Sequence, residues 1–268
     1  MNRRTTLIAL LTAACGFAFP LRADEQPATK ILLCYTKPDH PYATHMYQFE
    51  CELLAKCLRQ TDGIETEIVQ DWPEDEAALK GVKSIVYYSR PAGDIVLHPS
   101  RRDKFRQLMN DGAGLVCIHW ATGSNEKNAP DWTAALGGWF KRPPCGLKTT
   151  KSRLVQADPK HPVSRGWEDY DLRDEFYLDL RFHEDTQPLM TVEVDGKEQV
   201  VGWAIKRKGS RDGRSFGTTL GHFHDNFAIE SFRRAIVNGI LWTAHVEVPE
   251  GGAPVKLEAA DWTLPPKN

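Results

Sequence analysis

Histidines follow several of the apolar segments that the sequence marks as buried strands. His40 and His45 come after the first such segment, His119 ends another, and His222 and His224 follow the last. Imidazole exchanges protons near neutral pH and is a common metal ligand. Because ligands of an open α/β sheet bind outside the carboxyl ends of its strands, we expect these side chains to share one site.

Short apolar runs between glycines and polar turns are the elements that must position these histidines. Residues 114–118 (GLVCI) lie between Gly112 and Gly123, and similar runs occupy residues 30–35 and 84–88. Such runs are typical of inner strands of a parallel sheet. The alternation of strands with amphipathic helices predicts an α/β fold, a doubly wound, mostly parallel sheet with helices on both faces.

The remaining segments are assigned by the same criteria. Asp225 or Asn226 is expected to cap the last helix, which ends near Ala244. Residues 161–177 have no clear period and are expected to be an insertion. The predicted helices are residues 45–59, a helix that starts near Pro99, and residues 130–136; the further strands are residues 64–69, 153–156, 188–194, 200–206 and 215–220.

Composition limits the classes of partner. The chain has 268 residues and a formal net charge of −2, and no basic cluster interrupts it. We therefore expect no nucleic-acid partner. The apolar fraction of 41% is that of a globular protein. The oligomeric state is left open.

The first 23 residues have the pattern of a signal peptide. Arg3 and Arg4 precede an apolar segment, residues 7–19, and Ala23 offers a small residue for cleavage. The segment is too short for a stable membrane span. The prediction is export to the periplasm or outside the cell, by the general or the twin-arginine route. Lipid anchoring at Cys15 is the less favoured alternative.

Several motifs, taken in order, resemble the ThuA-like (trehalose-utilisation) family. They are His45, residues 114–119 (GLVCIH), His161-Pro162 followed by residues 174–177 (DEFY), and residues 217–222 (GTTLGH). The resemblance spans about residues 31–244, within one predicted domain over residues 24–246, and the Pro/Gly-rich composition of residues 247–268 predicts a C-terminal tail. The resemblance implies the flavodoxin-like fold of class I glutamine amidotransferases, and a substrate among disaccharides such as trehalose and their 3-keto derivatives.

The positions that match the family are His45, His119, Glu175 and His222. Three imidazoles suit a divalent Zn, Mn or Fe ion, so His45, His119 and His222 are the predicted metal ligands. Glu175 and His119 are the predicted catalytic acid and base, with or without a metal. The expected reaction is a lyase, isomerase or hydrolase step on an oxidised sugar. Residues expected to bind substrate are His40, Tyr42, Arg90, Trp120, Tyr177 and His224.

Two alternatives stand beside this prediction. Glutaminase chemistry is disfavoured, because His119 follows the strand where the amidotransferases carry a cysteine, and Cys117 lies inside the strand. A non-catalytic sugar-binding or scaffold domain is the rival function. It would keep the aromatic residues but would not need the histidines and Glu175 to converge, since a lone histidine at a strand end is usually structural. A disulfide framework is not expected.

Overall fold

The computed structural model describes residues 28–267, so the predicted signal peptide lies outside the described residues. Eleven strands form a nine-stranded and a two-stranded sheet within that range. The strands are β1 (Thr29–Tyr35), β2 (Ile64–Gln70), β3 (Val82–Tyr88), β4 (Gly114–Ile118), β5 (Gly138–Trp139), β6 (Gly146–Gln156), β7 (Tyr170–Leu178), β8 (Arg181–Phe182), β9 (Gln187–Val194), β10 (Lys197–Lys206) and β11 (Arg214–Thr218). The helices are α1 (Tyr47–Leu58), α2 (Ala92–Val96), α3 (Arg102–Asn110), α4 (Ala129–Leu136) and α5 (Glu230–Thr243).

The large sheet has the order β2-β1-β3-β4-β11-β10-β9-β6-β7. Its first five strands are parallel, and β4 pairs with β3 on one side and β11 on the other. The strands from β10 to β7 extend it in antiparallel fashion. The predicted α/β fold class is confirmed, and the carboxyl ends of β1, β3, β4 and β11 open on one edge.

Helices cover both faces of the sheet because neighbouring residues of each inner strand point in opposite directions. Ile31 and Leu33 of β1 pack with α1 and α5, whereas Leu32 and Cys34 pack with α2, α3 and α4. These four side chains are fully buried. Burial on both faces explains the continuous apolar runs in the sequence.

Strand β7 replaces the insertion predicted over residues 161–177. Its nine residues pair along β6, which begins at Gly146 rather than at residue 153. Leu172, Asp174 and Phe176 are buried, while the residues between them are more exposed. The insertion prediction was wrong because charged side chains, including the buried Asp174, concealed this alternation.

The last helix starts later than predicted. A short 3-10 helix over His224–Ala228 precedes α5, and Ile229 occupies the N-cap position without a side-chain bond. Asn226 instead donates a hydrogen bond from Nδ2 to the carbonyl of Arg173, at 3.1 Å. The capping role expected of Asp225 or Asn226 was therefore wrong, whereas the end near Ala244 agrees with the structure.

The segment after α5 packs along the domain. Val248, Ala253 and Val255 are buried, and Trp262 packs against the core cluster that contains α1. The five cysteines of the described part, Cys34, Cys51, Cys57, Cys117 and Cys145, are buried and free. Over residues 28–267 no helix combines the length and apolar character that crossing a membrane requires.

Candidate functional site

Two of the candidate histidines have left-handed backbone conformations at the edge where the parallel strands end. His119 is the first residue after β4 and has φ 56°, and His45 precedes α1 with φ 49°. This conformation costs free energy for a residue with a Cβ atom and tends to persist at functional sites. The turn after β4 thus directs the His119 ring back over the end of the sheet.

Imidazole nitrogens from three distant parts of the chain meet at this edge. His45 Nε2 lies 3.0 Å from His222 Nδ1, and His222 Nδ1 lies 3.2 Å from His119 Nε2. The ligand atoms of all three residues lie within 4.8 Å of one another. Nitrogens about 2.0–2.1 Å from a tetrahedral zinc ion would be roughly 3.3 Å apart. The cluster therefore has the spacing of a metal site.

Contacts on the far side of each ring fix its orientation. His119 Nδ1 donates to the carbonyl of Thr219 at 2.7 Å, which leaves Nε2 free to accept. His45 Nδ1 lies 2.7 Å from the hydroxyl of Tyr47, and that hydroxyl donates to Asp39. Such partners fix the tautomer and aim the opposite nitrogen, as they do around metal ligands.

The third histidine is held through its backbone. The carboxylate of Asp174 accepts hydrogen bonds from the backbone N–H of Gly221 at 2.7 Å and of His222 at 3.0 Å. It also accepts from the N–H of Glu175 at 2.8 Å. Asp174 is fully buried, and burial raises its pKa to about 7. It ties the loop after β11 to β7.

Burial keeps the three imidazoles neutral. It lowers the pKa of His119 well below its ordinary value, lowers that of His222 to about 4, and lowers that of His45. Neutral imidazole is the form that binds metals. A proton on His222 Nδ1 can form a hydrogen bond to His45 Nε2 or to His119 Nε2. The hydroxyl of Tyr177, 3.1 Å from His119 Nε2, can donate to that nitrogen as well. The cluster can thus hold one shared proton or one cation.

Two carboxylates approach the cluster: Asp39 Oδ1 lies 3.5 Å from His45 Nδ1, on the far side of that ring, and Glu175 faces the nitrogens of His222 and His119. Its Oε2 lies 3.5 Å from His222 Nδ1 and 3.7 Å from His119 Nε2. The side chain keeps 17% of its exposure, so it reaches both the histidines and solvent. Partial burial raises the pKa of Glu175, which suits a group that exchanges protons with a substrate.

A cavity of about 410 Å³ opens over this cluster. That volume falls in the range of small-molecule sites. Its wall is formed by His40, His45, Pro91, Asp94, Trp120, Ser124, Asn125, Phe140, Lys141, Arg142, Leu147, Glu175 and Tyr177. A larger cavity of about 840 Å³ lies near the opposite edge, beside Val82 and Ala113, where the strands begin. Of the clustered residues, His45 and Glu175 line the smaller cavity, and none lines the larger one.

Of the residues predicted to bind substrate, His40, Trp120 and Tyr177 line the cavity. The ring of His40 lies 3.6 Å from that of His45, between centroids, and 5.2 Å from that of Trp120. Tyr177 stacks on Phe140 with centroids 3.7 Å apart. These aromatic faces provide the kind of surface on which a sugar ring can pack.

The other three predicted binding residues lie outside the cavity wall. Tyr42 donates its hydroxyl hydrogen to the carbonyl of Pro265. Arg90 forms an ion pair with Asp71 at 3.2 Å. His224 is buried, with Nδ1 2.5 Å from a carboxylate oxygen of Glu50 and Nε2 beside the carbonyl of Trp262. In the structure these side chains stabilise loops next to the site.

Sequence reasoning missed the residues that support the histidines. Asp39 and Tyr47 hold His45 but belong to no motif, Asp174 holds His222 and was noted only as part of the motif of residues 174–177, and Phe140 and Arg142 come from an irregular segment. The signal that could have identified Asp174 is a carboxylate at an inward position of an alternating strand. Such a residue needs buried donors.

Cys117 is the cysteine nearest in sequence to the position where the amidotransferases carry their nucleophile, and it is buried in the core. Cys117 has no exposed surface and points into the cluster formed with α2, α3 and α4. Burial raises its pKa well above the ordinary value, so little thiolate forms. The site residue after β4 is His119.

Comparison with known proteins gives one family and one fold. A family model described as ThuA, trehalose utilisation, matches residues 32–243. A ThuA-like protein from Parabacteroides merdae is 18% identical with a TM-score of 0.66, over 89% of this chain and 100% of that chain. One from Bacteroides uniformis is 19% identical with a TM-score of 0.63, over 89% and 99%.

A more distant likeness is to a beta-galactosidase from Rahnella sp. R3, at 10% identity and a TM-score of 0.54. It covers 82% of this chain and 32% of that enzyme. At such identities the solved structures show the fold alone. No curated protein sequence matches the chain.

Proposed function

The chain belongs to the ThuA (trehalose utilisation) family, and from this premise we propose that it is an enzyme that transfers protons at a carbon next to the keto group of an oxidised sugar. The family gives it a carbohydrate-related role. The observation that carries the finer proposal is the convergence of His45, His119, His222 and Glu175 beneath one cavity.

Glu175 is the proposed base. Its carboxylate reaches the cavity, and its raised pKa brings its protonation equilibrium closer to neutral pH. In the proposed step the carboxylate takes the proton from the carbon beside the ketone. The electron pair of that C–H bond forms a C=C bond to the carbonyl carbon, the π pair of the C=O bond moves to the oxygen, and the hydroxyl on the deprotonated carbon makes the product an enediolate. Return of the proton to a neighbouring carbon would give an isomerase, and loss of a β-substituent would give a lyase.

The three histidines are the proposed ligands of a divalent metal, zinc, manganese or iron. The donor set fits, because three neutral imidazole nitrogens face one another while Thr219 and Tyr47 hold the far sides of two rings. A bound ion would supply a Lewis acid that polarises the sugar carbonyl. The chain's own part is to orient the rings and to exclude water: His119 has no exposed surface.

Hydrogen exchange tests the catalytic proposal without knowledge of the product. Protein in D₂O with 3-keto-trehalose should exchange the hydrogen next to the ketone, measured by proton NMR. Glu175→Gln should slow exchange by about 10²-fold or more, the usual contribution of a general base. Glu193→Gln, at an exposed position of β9, is the matched control and should leave the rate unchanged.

If the Glu175→Gln variant exchanges the hydrogen next to the ketone at the wild-type rate, the assignment of Glu175 as the base is wrong. If wild-type protein binds the sugar without any exchange, the non-catalytic sugar-binding alternative is correct. Calorimetric titration with Zn²⁺, Mn²⁺ and Fe²⁺ tests the ligands separately. One ion per chain is expected, and His222→Ala should lose it; the ligand proposal fails if no ion binds.

Export remains part of the proposal and depends on residues 1–23. The mass of the mature protein recovered outside the cytoplasm should correspond to cleavage near Ala23. A protein that keeps its first residues and stays in the cytoplasm would contradict it.

A further inference from the structure

Arg142 stands in the cavity wall without a protein partner. Within residues 28–267 its guanidinium makes no hydrogen bond and no ion pair. The other charged groups of the wall outside the histidine cluster are engaged. Lys141 pairs with Glu126 at 3.2 Å, and Asp94 accepts from the backbone N–H of Asn125 at 2.8 Å. Arg142 is thus the wall's one uncommitted cation in the described part of the chain.

The loop that carries Arg142 is anchored at both ends. Phe140 before it is 4% exposed and stacks on Tyr177, and Cys145 after it is 2% exposed. The backbone N–H of Cys145 donates to the carbonyl of Lys141 at 2.9 Å. Two prolines, residues 143 and 144, restrict φ further. The anchored backbone therefore holds the Cα of Arg142 at the rim of the cavity, and its exposed side chain can reach a ligand there.

The position of Arg142 relates it to the proposed reaction. Its charge opposes the rise that burial causes in the pKa of Glu175, so it acts on the same carboxylate that faces the histidines. The carboxylate of Glu175 is the opposite charge near Arg142, and it also faces the histidines, so a neutral sugar would bring no second negative charge for the guanidinium. A guanidinium presents parallel N–H groups that match a carboxylate or a phosphate.

We propose that Arg142 selects sugars that carry an oxyanion substituent, a carboxylate or a phosphate, and binds that group while the sugar ring packs against Trp120. This inference rests on the proposed function for the identity of the site. It adds a substrate class, acidic sugars, and assigns the specificity to one residue.

Calorimetric binding of unreactive sugars tests the inference. Glucuronate, glucose 6-phosphate and glucose serve as probes of carboxylate, phosphate and neutral sugar. At least one anionic sugar should bind about tenfold more tightly than glucose, as expected for a hydrogen-bonded charge pair. The advantage should weaken as ionic strength rises. Preference for glucuronate identifies the carboxylate class, and preference for glucose 6-phosphate the phosphate class.

Variants assign the effect to the residue. Arg142→Gln should remove the roughly tenfold preference while glucose binding stays unchanged, and Arg142→Lys should retain part of it. Lys160→Gln, which removes a positive charge at an exposed position outside the cavity wall, is the control and should keep the preference. The inference is overturned if wild-type protein binds both anions no better than glucose, or if the preference survives in Arg142→Gln.

The outcome is separable from that of the proposed function. Glu175→Gln abolishes the proposed proton transfer but removes a negative charge from the cavity, so anion binding should be kept or strengthened. Absence of exchange in the wild-type protein, with anion selectivity intact, would contradict the enzymatic proposal alone. If the wild-type protein exchanges the hydrogen of a neutral keto sugar but shows no preference for anionic sugars, only the Arg142 inference is contradicted.

Discussion

Replacement of Asp174 by Asn should damage the site through the backbone of the loop after β11. Oδ1 accepts from the N–H groups of Glu175 and His222, at 2.8 and 3.0 Å, and Oδ2 accepts from the N–H of Gly221 at 2.7 Å. An asparagine of the same shape has one acceptor and one donor group. If its oxygen keeps the first two bonds, its NH₂ group faces the donor of Gly221.

The magnitude follows from that mismatch. One buried N–H loses its acceptor at a cost of about 1–3 kcal/mol, and the remaining two bonds lose the assistance of a charge. Burial of the charged carboxylate is itself unfavourable and raises the pKa of Asp174 to about 7. A neutral asparagine avoids that cost, which offsets part of the loss. We expect a net loss of about 1–3 kcal/mol in the free energy of unfolding.

Urea unfolding and calorimetric titration with Zn²⁺ measure the two consequences. Displacement of the loop moves His222 Nδ1 away from His45 and His119, so the metal affinity should fall by about 10–100-fold, as for other residues that orient ligands. Asp171→Asn is the matched control on the same strand. Asp171 is exposed and pairs with Lys151 at 3.1 Å, so its loss should cost less than about 1 kcal/mol.

A variant Asp174→Asn as stable as the wild type, with the same affinity for Zn²⁺, would refute the reasoning. Loss of stability with metal affinity unchanged would mean that Asp174 supports the fold but does not position His222. Equal losses in Asp171→Asn would show a general sensitivity of β7 to charge removal.

Two further predictions concern stability. Burial lowers the pKa of His161 from 6.5 to about 4, so the unfolded chain binds a proton that the folded chain does not, and stability should fall as pH falls through that window. The loss of stability approaches about 3 kcal/mol, at 1.36 kcal/mol per pKa unit. His161→Asn keeps an acceptor for the backbone N–H of Val163. In this variant the urea midpoint should change less with pH, between neutral pH and about pH 5, than it does in the wild type. An unchanged slope would contradict it. Gly217→Ala should cost about 1–3 kcal/mol in urea unfolding, because a Cβ there would lie 2.3 Å from the buried ring of Trp203; wild-type stability would show that the ring can move.

The sequence alone determined the parallel half of the fold and the place of its histidines. Short apolar runs between turn residues are local signals, and burial on both faces leaves their pattern continuous. Once β1, β3, β4 and β11 are parallel neighbours, their carboxyl ends share one edge. His45, His119 and His222 follow from that rule, and the structure brings them within 4.8 Å of one another.

The family resemblance already pointed to Glu175, but only the tertiary structure decided how it and the supporting side chains join the histidines. Glu175 and Asp174 reach the site because β7 pairs with β6, a non-local pairing that the charged sequence of β7 concealed. Tyr42 and His224 turn away because the segment after α5 offers them backbone carbonyls of Pro265 and Trp262. The direction of a loop side chain depends on such distant partners, and a local pattern carries no information about them.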